Sequence, residues 1–127
     1  MSEFKKKTIE AAAKFLTCRG YDILDKSWES EGSRIDLVAQ DGETIVFCDV
    51  DARKGTDKGM PVTSIEGSRE RREIAAARWL EAQEGDEASD MQVRFDHIAM
   101  LTVSDDRALL RHHKDCLGYD ALASSTD

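Results

Sequence analysis

The sequence has no long hydrophobic run, since no apolar stretch approaches the roughly 18 residues that a membrane-spanning helix requires. The basic N-terminus, residues 1–7, continues into an amphipathic segment and lacks the apolar core of a secretion signal. Cysteine is scarce as well: Cys18, Cys48 and Cys116 are odd in number and do not have the spacing of a metal site. Together these absences predict a cytoplasmic protein with reduced thiols.

Positively charged residues are also fewer than negatively charged ones. The chain of 127 residues has 18 Lys and Arg against 26 Asp and Glu, which gives a net charge of −8. This balance argues against a general phosphate-binding surface but leaves room for a local basic patch. The length is that of one ordinary domain, and we expect residues 1–120 to form it and residues 121–127 to be a disordered tail.

The sequence does contain a regular succession of amphipathic and apolar segments with short connections. Apolar residues recur at helical spacing from Ile9 to Leu16, and Asp41-Gly42 is a strong hairpin signal. The patterns predict two long helices at 6–19 and 64–83, a short helix at 107–114, and strands at 21–28, 34–40, 44–53 and 93–101. This order favours an α/β or α+β fold with a mixed central sheet flanked by helices.

The predicted strand at 44–53 is the most informative segment, because its apolar, β-branched run ends in two aspartates and an arginine. Side chains two apart on a strand point the same way, so Asp49, Asp51 and Arg53 are expected on one face. The preceding strand carries Asp36 among apolar neighbours. A buried carboxylate is costly unless a cation, a metal or hydrogen bonds compensate it. The acids of these two strands therefore suggest a small metal site.

Several short segments occur in the order and with the gaps of a known family. They are Ile9-Glu10-Ala11-Ala12, residues 19–24, Ile35-Asp36-Leu37-Val38, Asp41-Gly42, residues 46–50, Ala52-Arg53, Ala75-Ala76 with Trp79-Leu80, and Arg94-Phe95-Asp96. On these residues the chain resembles the small YraN-like family of endonuclease-like proteins, over nearly its whole length. The resemblance implies the restriction-endonuclease-like PD-(D/E)XK fold with the element order α-β-β-β-α-β.

In active proteins of this fold, an acid on each of two neighbouring strands binds a divalent metal, and a lysine two positions after the second acid acts on the attacking water. The resemblance implies that Asp36, Asp49 and the carbonyl of Val50 bind Mg²⁺ or Mn²⁺, with Glu10 as an outer acid. A metal there would neutralise charge on a phosphate and lower the pKa of bound water. The implied activity is phosphodiester hydrolysis, and the implied partner is DNA.

The chain departs from the family pattern at positions that carry this chemistry. Asp51 stands where the family has its lysine, which puts an anion in place of a cation beside the attacking water. Ser33 and Arg34 stand where the family has a glycine and a glutamate. Two outcomes follow: either three carboxylates hold a metal more strongly, or Arg34 and Arg53 replace the metal in a charge network. We favour the network, which predicts an intact fold with weak or lost catalysis.

If the site is active, Asp51 or a lysine of the following loop, Lys54 or Lys58, is expected to serve as the base. The candidate nucleic-acid contacts are Arg53, Lys54, Lys58 and Arg69. Three functions remain open: a nucleic-acid-binding protein with a degenerate nuclease site, an active Mg- or Mn-dependent endonuclease with a rearranged site, and an acidic protein-interaction module. An exposed sheet edge in the first strand would permit a dimer.

The charged groups also have structural interpretations. The arginines at 69–72 are expected on a solvated helix face, paired with neighbouring glutamates. The lysines at 5–7 are expected at a solvated helix start. Arg94 shares a strand face with Asp96, so the two are expected to pair, with His97 on the opposite face. Asp36 itself would serve as a structural acid if its hydrogen bonds were satisfied.

Overall fold

The structure of the protein is a computed structural model, which describes residues 2–55, 65–83, 91–104 and 107–114, with only the backbone for 65–68. These residues form α1 (Glu3–Cys18), β1 (Asp22–Ser30), β2 (Ser33–Asp41), β3 (Thr44–Lys54), α2 (Ile65–Ala82), β4 (Gln92–Ser104) and β5 (Arg107–His113). Lys58 and the predicted tail at 121–127 lie outside the described residues. Neither described helix has the length and apolar character needed to cross a membrane.

In the described part of the chain, the strands form one sheet in the order β1-β2-β3-β4-β5. The first three strands are an antiparallel meander, β4 lies parallel to β3, and β5 is antiparallel to β4. Parallel neighbours need a crossover connection, and α2 lies in the segment that joins β3 to β4. The predicted restriction-endonuclease-like class, a mixed sheet with flanking helices, is confirmed, and one further strand follows the predicted order.

β5 shows that the predicted short helix at 107–114 is wrong. The segment Arg107–His113 pairs with β4 from Ser104↔Arg107 to His97↔His113. Alanine, leucine and arginine favour a helix, but the preference is worth only a fraction of about 1 kcal/mol per residue. Pairing along β4 outweighs that preference, because strand formation depends mainly on the neighbouring strand.

α1 begins before the predicted start at residue 6 because Ser2 is an N-cap whose hydroxyl accepts a hydrogen bond from Lys5 N at 3.1 Å. The helix ends before Gly20, which has a φ of 91°. This left-handed conformation is typical of the glycine that follows a helix. Because α1 starts early, Lys5 belongs to its first turns and lies on the same side as the buried Ile9.

The two helices pack against opposite faces of the sheet. On one face, α1 packs against the sheet through Ile9, Ala12, Ala13 and Leu16. The strand residues of this core cluster are Leu37, Ala39, Val46, Cys48, Val50, Ile98 and Met100. On the other face, α2 packs against the sheet through Ala75, Ala76 and Trp79. The strand residues of this second core cluster are Ile35, Val38, Ile45, Phe47 and Phe95. Since side chains alternate along β3, Asp49 and Asp51 lie on the α2 face, near the carboxyl end of the strand.

Candidate functional site

Asp36 lies where the ladder between β2 and β3 stops. The last Cα partners at that end of the ladder are Leu37 and Cys48. A buried main-chain N–H beyond the end of a ladder needs another acceptor, and Val50 N donates to Asp36 Oδ2 at 2.9 Å. Asp36 is buried. Its carboxylate supplies the hydrogen-bond acceptor that the backbone N–H of Val50 in β3 needs at this position.

The ammonium group of Lys5 bridges the two oxygen atoms that the resemblance assigns to a metal. Lys5 Nζ lies 3.1 Å from Asp36 Oδ2 and also donates a hydrogen bond to the carbonyl of Val50. Arg34 contributes a longer contact, 3.7 Å from its Nη2 to Asp36 Oδ1. The charge of Asp36 is therefore balanced mainly by a lysine from α1.

The prediction that Lys5 lies at a solvated helix start is wrong. Its side chain is only 25% exposed. The spacing from Lys5 to Ile9 puts the lysine on the buried side of α1. The N-cap at Ser2, which extends the helix to Glu3, was the signal that the prediction overlooked.

Asp49 is held by Arg72 from α2. Arg72 Nε donates to Asp49 Oδ2 at 2.7 Å, and Arg72 Nη2 lies 2.6 Å from the same oxygen. Burial raises the pKa of Asp49 above its ordinary value; the charge of Arg72 opposes this rise, whereas the charges of Asp36 and Asp51 add to it. The acids of β2 and β3 therefore lie close enough to repel one another.

Arg72 is a second residue that sequence reasoning assigned wrongly. It was expected on a solvated helix face, but it is buried, with 6% of its side chain exposed. It precedes Ala75, Ala76 and Trp79 at helical spacing, and that spacing was the available signal. Arg69, by contrast, forms an ion pair with Glu73 at 3.8 Å, of the kind expected for an exposed helix face.

Asp51 forms its contact with β4. His97 Nε2 and Asp51 Oδ2 are 2.8 Å apart; the histidine side chain is 5% exposed and that of Asp51 is 47% exposed. His97 stacks on His113 of β5 with 5.8 Å between ring centroids. Burial lowers the pKa of His113, and positive charge on His97 would lower it further. Asp51 thus presents one open carboxylate whose orientation is fixed by a buried histidine.

Glu10, Arg53 and Lys54 have further contacts of their own. Glu10 Oε1 is 2.9 Å from Lys26 Nζ of β1, in an exposed pair. The Arg53 carbonyl accepts a hydrogen bond from the Thr102 hydroxyl at 3.2 Å. The ammonium of Lys54 lies 4.8 Å from the centre of the Phe4 ring.

A divalent metal fits this arrangement poorly. Among the residues that the structure describes, no three His, Cys, Asp or Glu side chains form a group that could hold a metal ion. Asp36 Oδ2 and the Val50 carbonyl do converge on one point, but the Lys5 ammonium lies there. Asp49 is committed to Arg72. We refer to Asp36, Asp49 and Asp51 as the acidic site.

A second set of buried charges lies on the α1 face, and we call Arg94, Asp96 and His112 the Asp96 cluster. Arg94 Nε and Nη2 each donate to Asp96 at 2.9 Å, which confirms the predicted pair. His112 Nε2 lies 2.7 Å from Asp96 Oδ2. Burial opposes the charge on Arg94, but hydrogen bonds from its guanidinium to Asp96 raise the Arg94 pKa above its ordinary value. Every charged group of this cluster has a partner within hydrogen-bond distance.

The fold and these residues can now be set beside known proteins. The model of a family described as "Uncharacterised protein family UPF0102" matches residues 10–100. A UPF0102 protein of Frankia casuarinae is 42% identical over 88 residues, which are 68% of this chain and 72% of that protein. A UPF0102 protein of Rhodococcus opacus is 31% identical over 107 residues, 84% of this chain and 88% of the relative. One from Geobacter sulfurreducens is 33% identical over 104 residues, with 81% and 79% covered. The resemblance to the YraN-like family is thereby confirmed, and the chain belongs to the UPF0102 family.

Proposed function

We propose that this protein binds nucleic acid through a nuclease-like scaffold whose catalysis is weak or lost. The observation that carries the proposal is the position of the Lys5 ammonium, which contacts both Asp36 Oδ2 and the Val50 carbonyl. These are two of the oxygen atoms expected to bind a metal in an active site of this fold. A cation of the chain itself balances the acids there: Lys5 lies closer to Asp36 than Arg34 does, and Arg72 pairs with Asp49.

The residue at position 51 supports the loss of catalysis. Phosphodiester hydrolysis needs positive charge beside the phosphate and the attacking water. Asp51 supplies negative charge instead, and its neighbour Asp49 is paired with Arg72 in a buried contact. A phosphate that approaches the acidic site would meet an exposed carboxylate at Asp51, which is 47% exposed. Binding must then depend on cations outside the acidic site.

The test combines metal-dependent stability with direct assays. The melting temperature should be the same with and without Mg²⁺ or Mn²⁺. A tightly bound ion would raise it by mass action. Incubation with single-stranded and branched DNA in Mn²⁺ should leave the DNA intact, as it should for the control Asp36→Asn. Binding to the same DNA should weaken as the salt concentration rises, since phosphate contacts release counterions.

An active Mg- or Mn-dependent endonuclease with a rearranged site is the second candidate. It is favoured by the convergence of Asp36 Oδ2 and the Val50 carbonyl on one cation position. His97 also orients Asp51 in a way that suits a general base. In that case Mn²⁺ should raise the melting temperature, Asp49→Asn should abolish the rise, and removal of the ammonium in Lys5→Met should enlarge it.

The third candidate is an acidic protein-interaction module, which the net charge of −8 favours. Such a module would show no salt-dependent affinity for oligonucleotides and no metal response. Absence of DNA binding under low-salt conditions would therefore contradict the first two proposals together.

A further inference from the structure

A groove of about 930 Å³ lies between α1 and the ends of β3, β4 and β5. One wall is a stripe of α1 that includes Phe4, Lys7 and Lys14, and the other wall includes Lys54 and Arg107. Phe4 and Lys54 lie across from each other, and the lysine ammonium is 4.8 Å from the centre of the aromatic ring. The helix and the sheet therefore both contribute side chains to the lining of the groove.

The charge of this groove is opposite to that of the whole chain. Four cations line it (Lys7, Lys14, Lys54 and Arg107), and among the described lining residues Glu3 is the single carboxylate. All four cations are exposed, and within the described ranges no carboxylate forms an ion pair with any of them. The described residues of this groove therefore carry a net positive charge, although the whole chain has a net charge of −8.

The groove lies on the α1 face of the sheet, whereas Asp49 and Asp51 of the acidic site lie on the α2 face. β3 carries Asp49 and Asp51 and continues directly to Lys54, which lies in the groove wall. On α1, Lys5 contacts Asp36, whereas its neighbours Phe4 and Lys7 face the groove. The groove is therefore a separate surface, which is connected to the acidic site through β3 and the first turns of α1.

We propose that this groove binds the sugar-phosphate backbone of a nucleic-acid strand, an inference that rests on the proposed function and names its binding surface. Lys7 and Lys14 are two turns apart on α1, and a rise of 1.5 Å per residue separates them by about 10 Å. Along the axis of a double helix, where each strand carries one charge per 3.4 Å, that distance corresponds to about three phosphates of one strand.

The presence of exposed cations on both walls of the groove favours a phosphate backbone over an acidic peptide. A nucleic-acid strand presents one negative charge at every step, so it can contact both walls at once without a particular sequence. An acidic peptide is the competing ligand, and it is included in the experiment as a separate probe.

The experiment measures fluorescence anisotropy of a short labelled DNA strand, with EDTA present so that no metal contributes. The groove variant is Lys7→Glu with Lys14→Glu. Its matched control is Lys6→Glu with Arg71→Glu, which has the same change of charge at exposed helix positions outside the groove. The groove variant should bind at least about tenfold more weakly, and the slope of log affinity against log salt should fall by about 2. The control should remain within about twofold of the wild type.

Each of the other outcomes contradicts either the groove proposal or the proposed function. If the wild type binds DNA and the groove variant equals the control, the groove proposal is wrong while nucleic-acid binding stands. If the wild type binds no DNA, the proposed function fails, and this inference fails with it. Tighter binding of labelled polyglutamate than of DNA would assign the groove to an acidic peptide and overturn the proposal.

A measurement on the wild type keeps the proposal testable even if the groove variant is destabilised. Amide chemical shifts should change on DNA titration in the first half of α1 and at the β4–β5 end of the sheet. Shifts confined to α2 and the outer edge of β1 would contradict the groove as the binding surface.

Discussion

The acidic site and the Asp96 cluster both place carboxylates on inner strands, yet they obtain their cations differently. Asp96 is fully buried and pairs with Arg94, two residues away on the same strand. Asp36 and Asp49 pair with Lys5 and Arg72, which come from two helices on opposite faces of the sheet. The closest cation of Asp96 thus comes from its own strand, whereas those of Asp36 and Asp49 come from separate helices, and the side chain of Asp51 is 47% exposed. A buried pair on one strand is typical of a structural role; acids held from several elements at a rim are typical of a binding site.

The largest effect should come from the Asp96 cluster. Asp96→Asn takes the fully buried carboxylate from the half-buried Arg94 guanidinium, and removal of one partner of a buried pair costs about 3–5 kcal/mol. Urea denaturation should show this loss in the free energy of unfolding. The control is Asp41→Asn, which removes an exposed partner of the same guanidinium and should cost less than about 1 kcal/mol. Equal losses for the two variants would show that Asp96 is not the main support of Arg94.

A smaller effect is expected at the acidic site. Arg72→Met leaves Asp49 without its guanidinium, and we expect a loss of about 2 kcal/mol, below the value for a fully buried pair because Asp49 is 28% exposed. The same urea experiment measures it. Arg71→Met changes the adjacent, exposed arginine of α2 and should stay within about 0.5 kcal/mol of the wild type. A loss as large as that of Asp96→Asn would remove the distinction between the two sites.

Lys5→Met should have a still smaller effect on stability. The methionine keeps the packing of the side-chain stem, but Asp36 loses its closest cation while retaining the hydrogen bond from Val50 N. We expect the free energy of unfolding to fall by about 1 kcal/mol. The control is Lys6→Met, which should leave the free energy of unfolding unchanged. If both variants have the stability of the wild type, the ammonium of Lys5 does not hold the acidic site together.

The most subtle difference concerns pH. The folded-state pKa of Asp49 is raised, so its stabilising contribution is complete below the ordinary value near 3.8 and is lost as pH rises through the raised value. The stability of the wild type relative to Asp49→Asn should therefore decline over an interval that begins near pH 4 and extends through the raised pKa. Urea denaturation across that interval measures the difference. A relative stability that increases with pH would mean that Arg72 outweighs burial.

Much of the scaffold was predictable because the relevant signals are local. The hairpin between β2 and β3 follows from Gly42, which has a φ of 61° and lies between the paired residues Asp41 and Thr44. Arg94 and Asp96 could be paired from their two-residue spacing alone. β5 could not be recognised in the same way, since its sequence favours a helix and only the available edge of β4 makes it a strand.

The sequence by itself determined the order of the elements from α1 to β4, the apolar face of each strand in that span, and the presence of acids at the end of β3. Periodicity and turn residues act between neighbours in the chain, so they can be recognised without a structure. Only the tertiary structure decided which cations hold those acids. Lys5 and Arg72 are 67 positions apart and on different helices, and no pattern along the chain encodes their meeting at β2 and β3. That pairing depends on where the packed helices place their ends, because a buried carboxylate takes whichever cation the fold brings within reach.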